Sequence, residues 1–378
     1  MDKYDAIVVG IGGMGSATLY ELKRRGKNVL GIEQFDVAHE QGSSHGSTRV
    51  IRLAYYEHPS YVPIMKRGYE LWRDLENLSG EKLLHITGNL DIGAEDSFVF
   101  CGSKHSCELY DLPHEIMNGS EISKRFPGFK LPKDIMSVFQ PEGGFLEPEK
   151  CIKTFVKSAC ELGAEVHTRE RVSEWHATAE GGVVVKTNAG EYAADSLILT
   201  TGAWTGKFAP ELTKKLTPER QVMGWFNTNG SNLFTQDKFP VFNILVPEGR
   251  YYGFPEFNIP GFKIGLYHHL NENVDPDDLD RSLITETDEM VLRRGVSKYF
   301  PDADNEMIMG KVCMFTNSPD EHFIVDTLTE FPQVFVAAGF SGHGFKYCSV
   351  IGEVIAGLVD NAASDLPVDM FRISRFNK

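Results

Sequence analysis

Hydrophobic and polar positions along this chain follow two rhythms, one of unbroken or alternating runs and one of helical spacing, and they exchange places several times. Residues 6–9 are a short apolar run closed by Gly10-Ile11-Gly12-Gly13-Met14-Gly15, which predicts a buried strand entering a glycine turn. Residues 16–25 then predict a helix stopped by Gly26, and 28–32 a second strand ending on Glu33. From Ser60, the expected cap, helical spacing returns, with Ile64, Gly68, Leu71, Trp72 and Leu75 on one face.

Residues 84–143 are less periodic and broken by Pro and Gly, with a small helix at 121–127 that ends at its proline. Residues 148–162 form a predicted amphipathic helix, Ile152, Phe155, Val156 and Ala159 inward, stopped by Gly163. Strands are expected at 165–168, 172–177 and 183–187, and a buried one from 195 runs into the small-residue turn Thr200-Thr201-Gly202-Ala203-Trp204. From 217 to about 317 the pattern becomes alternating strands broken by Pro and Gly. The chain closes on a strand at 334–338, a glycine turn at 339–344 and a helix at 345–359 striped by Val350, Ile351, Val354, Ile355 and Leu358.

The expected fold is thus α/β with two domains. A dinucleotide-binding unit would be assembled from 1–83, 144–216 and 320–378, and a mainly antiparallel unit from 84–143 and 217–319. A length of 378 residues agrees with two cores.

Charge narrows the partners. The chain carries 53 acidic against 38 basic side chains, a net −15, which argues against non-specific binding to nucleic acid or to an anionic membrane. No apolar run approaches spanning length. The six cysteines form no C-x-x-C pair and no metal-finger spacing, so no metal is expected and a reduced compartment is. The first strand begins almost at Met1, leaving no room for a leader, and the last three residues are not a peroxisomal address. The cytoplasm is the expected location.

The first module carries chemistry. In G-x-G-x-x-G after a strand, Gly10 permits the tight turn, Gly12 lets a pyrophosphate approach the backbone, and Gly15 lets the helix pack close. The phosphate would sit on the helix N-terminus, and Glu33 lies where an acid accepts from the adenosine ribose hydroxyls. FAD and NAD proteins share this module, so it does not choose between them.

Further along, Gln41-Gly42-Ser43-Ser44-His45-Gly46-Ser47-Thr48-Arg49-Val50-Ile51-Arg52 is too rich in hydroxyls and cations for a core element. Arg49 and Arg52 share a face on a helix and point opposite ways on a strand. Two surface arginines are the ordinary reading of such a pair, and the setting beside His45 favours function. Gly339-Phe340-Ser341-Gly342-His343-Gly344-Phe345-Lys346 places a lysine in the first turn of a helix, against the dipole, where an anion would justify it. Lys263 sits in a strand whose alternation points it to the core or to water. Cys313 reads by default as an inert buried thiol, and Tyr252 and His268 as structural side chains.

Taken together these stretches resemble the monomeric sarcosine oxidase family of flavin amine oxidases, which includes N-methyltryptophan oxidase and the peroxisomal sarcosine and pipecolate oxidases. The resemblance runs through Gly10 to Gly15, His45 to Arg52, Tyr251-Tyr252-Gly253-Phe254-Pro255, Cys313 with Thr316-Asn317-Ser318-Pro319-Asp320-Glu321, Ser341 to Lys346, and Phe371-Arg372-Ile373-Ser374-Arg375-Phe376. It implies a glutathione-reductase-like FAD domain and FAD rather than NAD, joined by a thioether from Cys313 to the flavin 8α carbon.

The same resemblance implies a site. Arg52 and Lys346 would bind the substrate carboxylate, Arg49 and Lys263 would lie against the flavin ring, and Lys263 would activate O2. His45, Tyr252 and His268 would join the catalytic centre, Tyr252 also touching substrate. The cofactor cradle would draw Gly10, Gly12, Gly13, Met14, Gly15 and Glu33 from the first module and Ser44, Thr48 and Arg49 from the hydroxyl-rich stretch. Val172, Gly202 and Trp204 would join it from mid-chain, and Gly342, His343, Gly344 and Lys346 from near the end.

The reaction implied is oxidation of the secondary amine of an amino acid to an imine by a monomeric enzyme. O2 becomes H2O2, and for an N-methyl substrate hydrolysis releases formaldehyde. A cyclic or larger secondary amine such as pipecolate, proline or a glycated amino acid is the alternative substrate. An NAD-linked dehydrogenase and a non-catalytic flavoprotein are the remote readings. Two departures from the family pattern bear on specificity. Phe315 stands two residues past the cysteine where the family commonly has tyrosine, and His268 is one residue later than the family's histidine, with Tyr267 in its place.

Overall fold

The computed structural model describes residues 3–377. Its strands form two eight-stranded sheets and a three-stranded one. At the centre of the first sheet Lys3–Val9 pairs in parallel with Val29–Ile32 on one side and Glu191–Leu199 on the other. Glu165–His167 extends the parallel row beyond Val29–Ile32. Glu191–Leu199 forks: its first half pairs antiparallel with Val183–Thr187, its second half in parallel with Phe331–Ala338. Both central strands are buried on the two faces, which is why they read as continuous apolar runs rather than alternation.

Three helices cover one face of this sheet. Gly13–Arg24 packs against both Pro148–Glu161 and Cys348–Val359. The approach to the last is close enough that a Cβ on Gly352 would stand 2.7 Å from the Ala17 carbonyl carbon. Helix Tyr61–Ser79 buries Ile64, Leu71, Trp72 and Leu75 as expected. Ser60 does not cap it: the residue is already helical and its hydroxyl makes no capping bond.

The second sheet is antiparallel except where Val241–Val246 meets Asn89–Gly93. Its core is aromatic, with Phe129, Phe234, Phe239, Phe242, Phe262 and Phe300 in mutual ring contact. Two helices escape the sequence reading. Glu286–Tyr299 carries a Thr285/Asp288 capping box, but only Leu292, Gly295, Val296 and Tyr299 mark its buried apolar face. Phe98–Leu109 buries serines: Ser103 donates to Asp91 and Ser106 to the Tyr55 carbonyl, so its inner face does not look apolar.

The small sheet joins Arg49–Ile51, Gly144–Leu146 and Leu84–Ile86. Leu84–Ile86, expected in the second unit, therefore pairs with Gly144–Leu146, assigned to the first. Among the described residues no helix is long and apolar enough to cross a membrane, and no cluster could hold a metal ion.

Candidate active site

A cavity of about 520 Å³ runs between the glycine turn of the first sheet and the strands of the second, within the range of small-molecule and cofactor sites. At its first end the glycines act as their spacing requires. Gly10 has φ +88°, and a Cβ there would lie 2.7 Å from the Thr200 carbonyl oxygen. A Cβ on Gly15 would overlap the Gly10 carbonyl, so only glycine lets helix and strand close up. A Cβ on Gly12 would meet nothing within 4 Å, which leaves that backbone open to a ligand. Gly12 caps the helix without a side chain, so the first amides stay available to an anion. Glu33 is held by the Ile11 and Phe35 amides at 2.8 and 3.1 Å. Met14, Val172, Gly202 and Trp204 line the same cavity.

Arg49 enters from its short strand. Its Nη2 donates to the Ser43 carbonyl at 2.8 Å and lies 3.7 Å from the Cys313 sulfur. Cys313, on Met307–Asn317, is 5% exposed and also lines the cavity, as does Ser44. Lys263 is fully within the protein, resolving the choice between core and water: Nζ donates to the Gly46 carbonyl at 2.6 Å and to the Thr48 carbonyl and hydroxyl at 3.0 and 2.9 Å. Burial first, then the Arg49 charge, pushes its pKa well below the usual lysine value. His45 is buried with neither ring nitrogen hydrogen bonded. Burial and the surrounding cations hold it neutral, well below an ordinary imidazole. His45, Thr48, Gly15 and Lys263 stand just behind the cavity wall rather than on it.

At the other end two more cations are buried. The Arg52 guanidinium lies between the rings of Tyr55 and Tyr56, 4.3 and 4.1 Å from their centroids, and Nη2 donates to both oxygens of Glu57. Lys346 donates to the His343 carbonyl at 2.6 Å. Burial, with Arg52 beside it, lowers the Lys346 pKa to about 7. His343 is fixed as one tautomer: Nε2 donates to the Glu321 carbonyl at 3.0 Å, so Nδ1 accepts from the Tyr55 hydroxyl at 2.7 Å. Glu57 was not legible as a site residue, its only signal being its place in the run Tyr55-Tyr56-Glu57 just after Arg52.

A glycine turn, paired buried cations and a thiol around one cavity direct the comparison with known proteins. Residues 5–358 match the family described as FAD dependent oxidoreductase. The chain is 39% identical over 376 residues to monomeric sarcosine oxidase of Bacillus sp. (strain B-0618), covering 98% of this chain and 96% of that one. It is 34% identical to N-methyl-L-tryptophan oxidase of Yersinia pestis (strain Pestoides F), covering 99% of each.

The chain belongs to the FAD dependent oxidoreductase family.

Within that family it is a flavin amine oxidase of the sarcosine oxidase type. The fold also matches NikD, an unusual amino acid oxidase essential for nikkomycin biosynthesis, with a TM-score of 0.84 at 23% identity over 98% of each chain. The open backbone at Gly12, the uncapped helix and the anchored Glu33 carboxylate all fit FAD.

For this flavin oxidase the wall facing the cations differs from expectation at one place. His268 does not line the cavity. Its Nδ1 lies 2.9 Å from Glu219 and its Nε2 3.4 Å from Glu321, and the pair of carboxylates turns the ring away. Tyr267 takes the cavity position, with Tyr252 and Phe315 at ring distances of 5.3 and 5.5 Å. The Arg250 guanidinium, absent from the sequence reading, stacks 3.7 Å above Tyr267. Gly342, His343 and Gly344 close the wall, Gly342 leaving room for the Phe315 ring that a Cβ would strike.

Proposed function

We propose that this oxidase acts on the secondary amine of a small amino acid, an N-methyl amino acid such as sarcosine, with FAD linked through Cys313. The observation that carries the reading is the pair of buried cations, Arg52 and Lys346, that line the cavity. Two cations there receive one carboxylate, and the planar Arg52 fork sets its orientation. Held so, the N–CH bond would be oriented for oxidation by the bound cofactor. FAD, when bound, supplies the acceptor for the two electrons of the C–N bond and passes them to O2.

The chain's own residues do the rest. Glu57 neutralises Arg52 until a carboxylate arrives, and Tyr252, Tyr267 and Phe315 exclude water around the amine. Arg49 provides positive charge near the thiol, and Lys263 in its protonated form would stabilise the anion that O2 becomes on taking its first electron. Atoms balance as N-methyl amino acid plus O2 plus H2O giving the amino acid, formaldehyde and H2O2.

The name of the Bacillus relative supports both sarcosine as substrate and a monomer. Six free cysteines support a reducing compartment, and the cytoplasm is the location we propose. The aromatic wall without a hydroxyl at Phe315 favours, as a second reading, a larger or cyclic secondary amine.

A panel of sarcosine, N-methyltryptophan, proline and pipecolate assayed for peroxide and formaldehyde tests this. Peroxide with formaldehyde supports an N-methyl substrate, and peroxide without it the cyclic reading. A flavin that no member bleaches anaerobically would overturn both.

A further inference from the structure

The turn that follows strand Phe262–Leu266 is pinned by three consecutive side chains that point to three different places. Tyr267 faces the cavity, His269 meets Asp288 of helix Glu286–Tyr299 at 3.0 Å, and His268 stands between Glu219 and Glu321. Glu219 belongs to strand Thr217–Phe226 of the second sheet. Its carboxylate is otherwise fully engaged, accepting from Asn317 at 2.6 Å and Gln221 at 2.7 Å. Glu321 lies in the crossover that leads from Met307–Asn317 of the second sheet to Ile324–Leu328 of the first.

Both partners of this contact hold uncommon backbone conformations. His268 has φ +55° and Glu321 φ +58°, left-handed settings that are uncommon for residues other than glycine. The crossover is fastened on its other side by Arg375, which donates to Asp320 at 2.8 and 3.0 Å and to the His322 carbonyl at 2.9 Å. It also reaches the site itself. The Glu321 carbonyl accepts from His343, whose ring accepts from Tyr55 and whose own carbonyl accepts from Lys346.

We propose that His268 is a positioning residue: its ring ties the turn carrying Tyr267 to the Glu321 crossover, and through Glu321 and His343 it holds Tyr55 and Lys346 where the carboxylate is received. The proposal rests on the carboxylate reading of Arg52 and Lys346. The groups that face His268 are Glu219, Glu321 and, beyond Glu321, Arg250 of strand Gly249–Phe254 and His343. Hydrogen bonds to Glu219 and then Glu321 raise the imidazole to about 9, so the tie is charged at neutral pH and is lost as pH rises through that value.

The test uses the FAD-loaded protein and acetate, which does not titrate above pH 6, with affinity read from the flavin absorbance. At pH 7.5, H268Q and E321Q should each weaken acetate about tenfold, the size of one coupled contact, and the double variant should be no worse than either. Between pH 8 and 10 the parent should lose affinity in a step that H268Q lacks, while the step near 7 from Lys346 stays in both. Unchanged affinity in H268Q, or additive losses in the double variant, would overturn the proposal. Absence of acetate binding in the parent would fault the carboxylate reading instead. Hydrogen exchange then decides: faster exchange at both 267–271 and 318–323 in H268Q supports the tie, and unchanged protection sinks it.

Discussion

Arg52 and Glu57 form a two-oxygen ion pair beneath the cavity, Nη2 lying 2.8 and 2.7 Å from the two carboxylate oxygens, with the Arg52 side chain 2% exposed. Burial pushes the Glu57 carboxyl upward, but Arg52, His343 and Lys346 outweigh it and bring the value down to about 2. The site therefore carries its own counter-charge before any substrate enters.

Glu57→Gln removes the carboxylate that Arg52 contacts and leaves it only the more distant Asp91; losing one partner of a buried pair costs about 3–5 kcal/mol. The variant should unfold several degrees lower than the parent. Because a carboxylate ligand then supplies the missing charge, acetate should raise its Tm by more than it raises the parent's. Equal ligand-induced shifts in thermal unfolding would show that Glu57 does not share Arg52 with the ligand.

Lys263 spends its donors on the loop that also carries His45 and Arg49. Lys263→Met should slow flavin reoxidation by O2 on the order of 10²–10³-fold, the cost of losing one preorganised charge. Anaerobic reduction by substrate should change little, since no contact of Lys263 reaches the Arg52 end. With its pKa depressed, the parent's reoxidation should be fastest at low pH and fall as pH rises through that value. Stopped-flow rates for the two half-reactions separate these effects, and equal slowing of both would contradict the oxygen role.

Cys313 occupies a buried strand position with Arg49 3.7 Å from its sulfur, and the proposed link to FAD through this thiol has a direct test. Acid precipitation of the holoenzyme should leave the yellow colour in the pellet, and Cys313→Ala should release it to the supernatant. Colour released from the parent would leave an oxidase whose FAD is not linked.

The parts of this molecule that were legible in the sequence are those where one physical demand dominates. Val172–Ala177 and Val183–Thr187 were read at their true bounds because each is a β-rich run closed by turn residues. The glycine turn was legible because its three roles are steric and local. Lys263 was not assignable to a face because Phe262–Leu266 is buried on both, so alternation carries no direction there. Helix Phe98–Leu109 escaped because its inner face is built of serines satisfied by Asp91 and a carbonyl, partners remote or irregular in sequence.

Within the site, the cations were visible as types, and what they pair with was not. Glu57 meets Arg52 across an irregular segment whose path no periodicity predicts. His268 was named for the centre by resemblance alone, although counting from Lys263 put Tyr267 in the family histidine's place. The chain turns after Leu266, sending Tyr267 inward and His268 to its two carboxylates. The Asp320 and Arg375 motifs had no chemistry to explain them in the sequence. Their ion pair fastens the crossover between the sheets.

Lys346 gives the sharpest pH prediction. In the free protein burial, then Arg52, lowers its pKa to about 7, while Glu57 and Asp91 resist. An incoming carboxylate favours the charged ammonium and so raises that value in the complex. Affinity for acetate should therefore be full below about pH 7 and decline as pH rises above it, at up to tenfold per unit until the pKa of the complex is reached. Lys346→Met should bind more weakly below pH 7 and lose this step, because Arg52 keeps its charge throughout. Arg52→Ala should move the step to higher pH, because the Arg52 charge is part of what lowers Lys346, while raising KM for carboxylate substrates steeply. Titration of acetate affinity from pH 6 to 8.5 in the three proteins checks the assignment, and a step surviving in Lys346→Met would place the titrating group elsewhere.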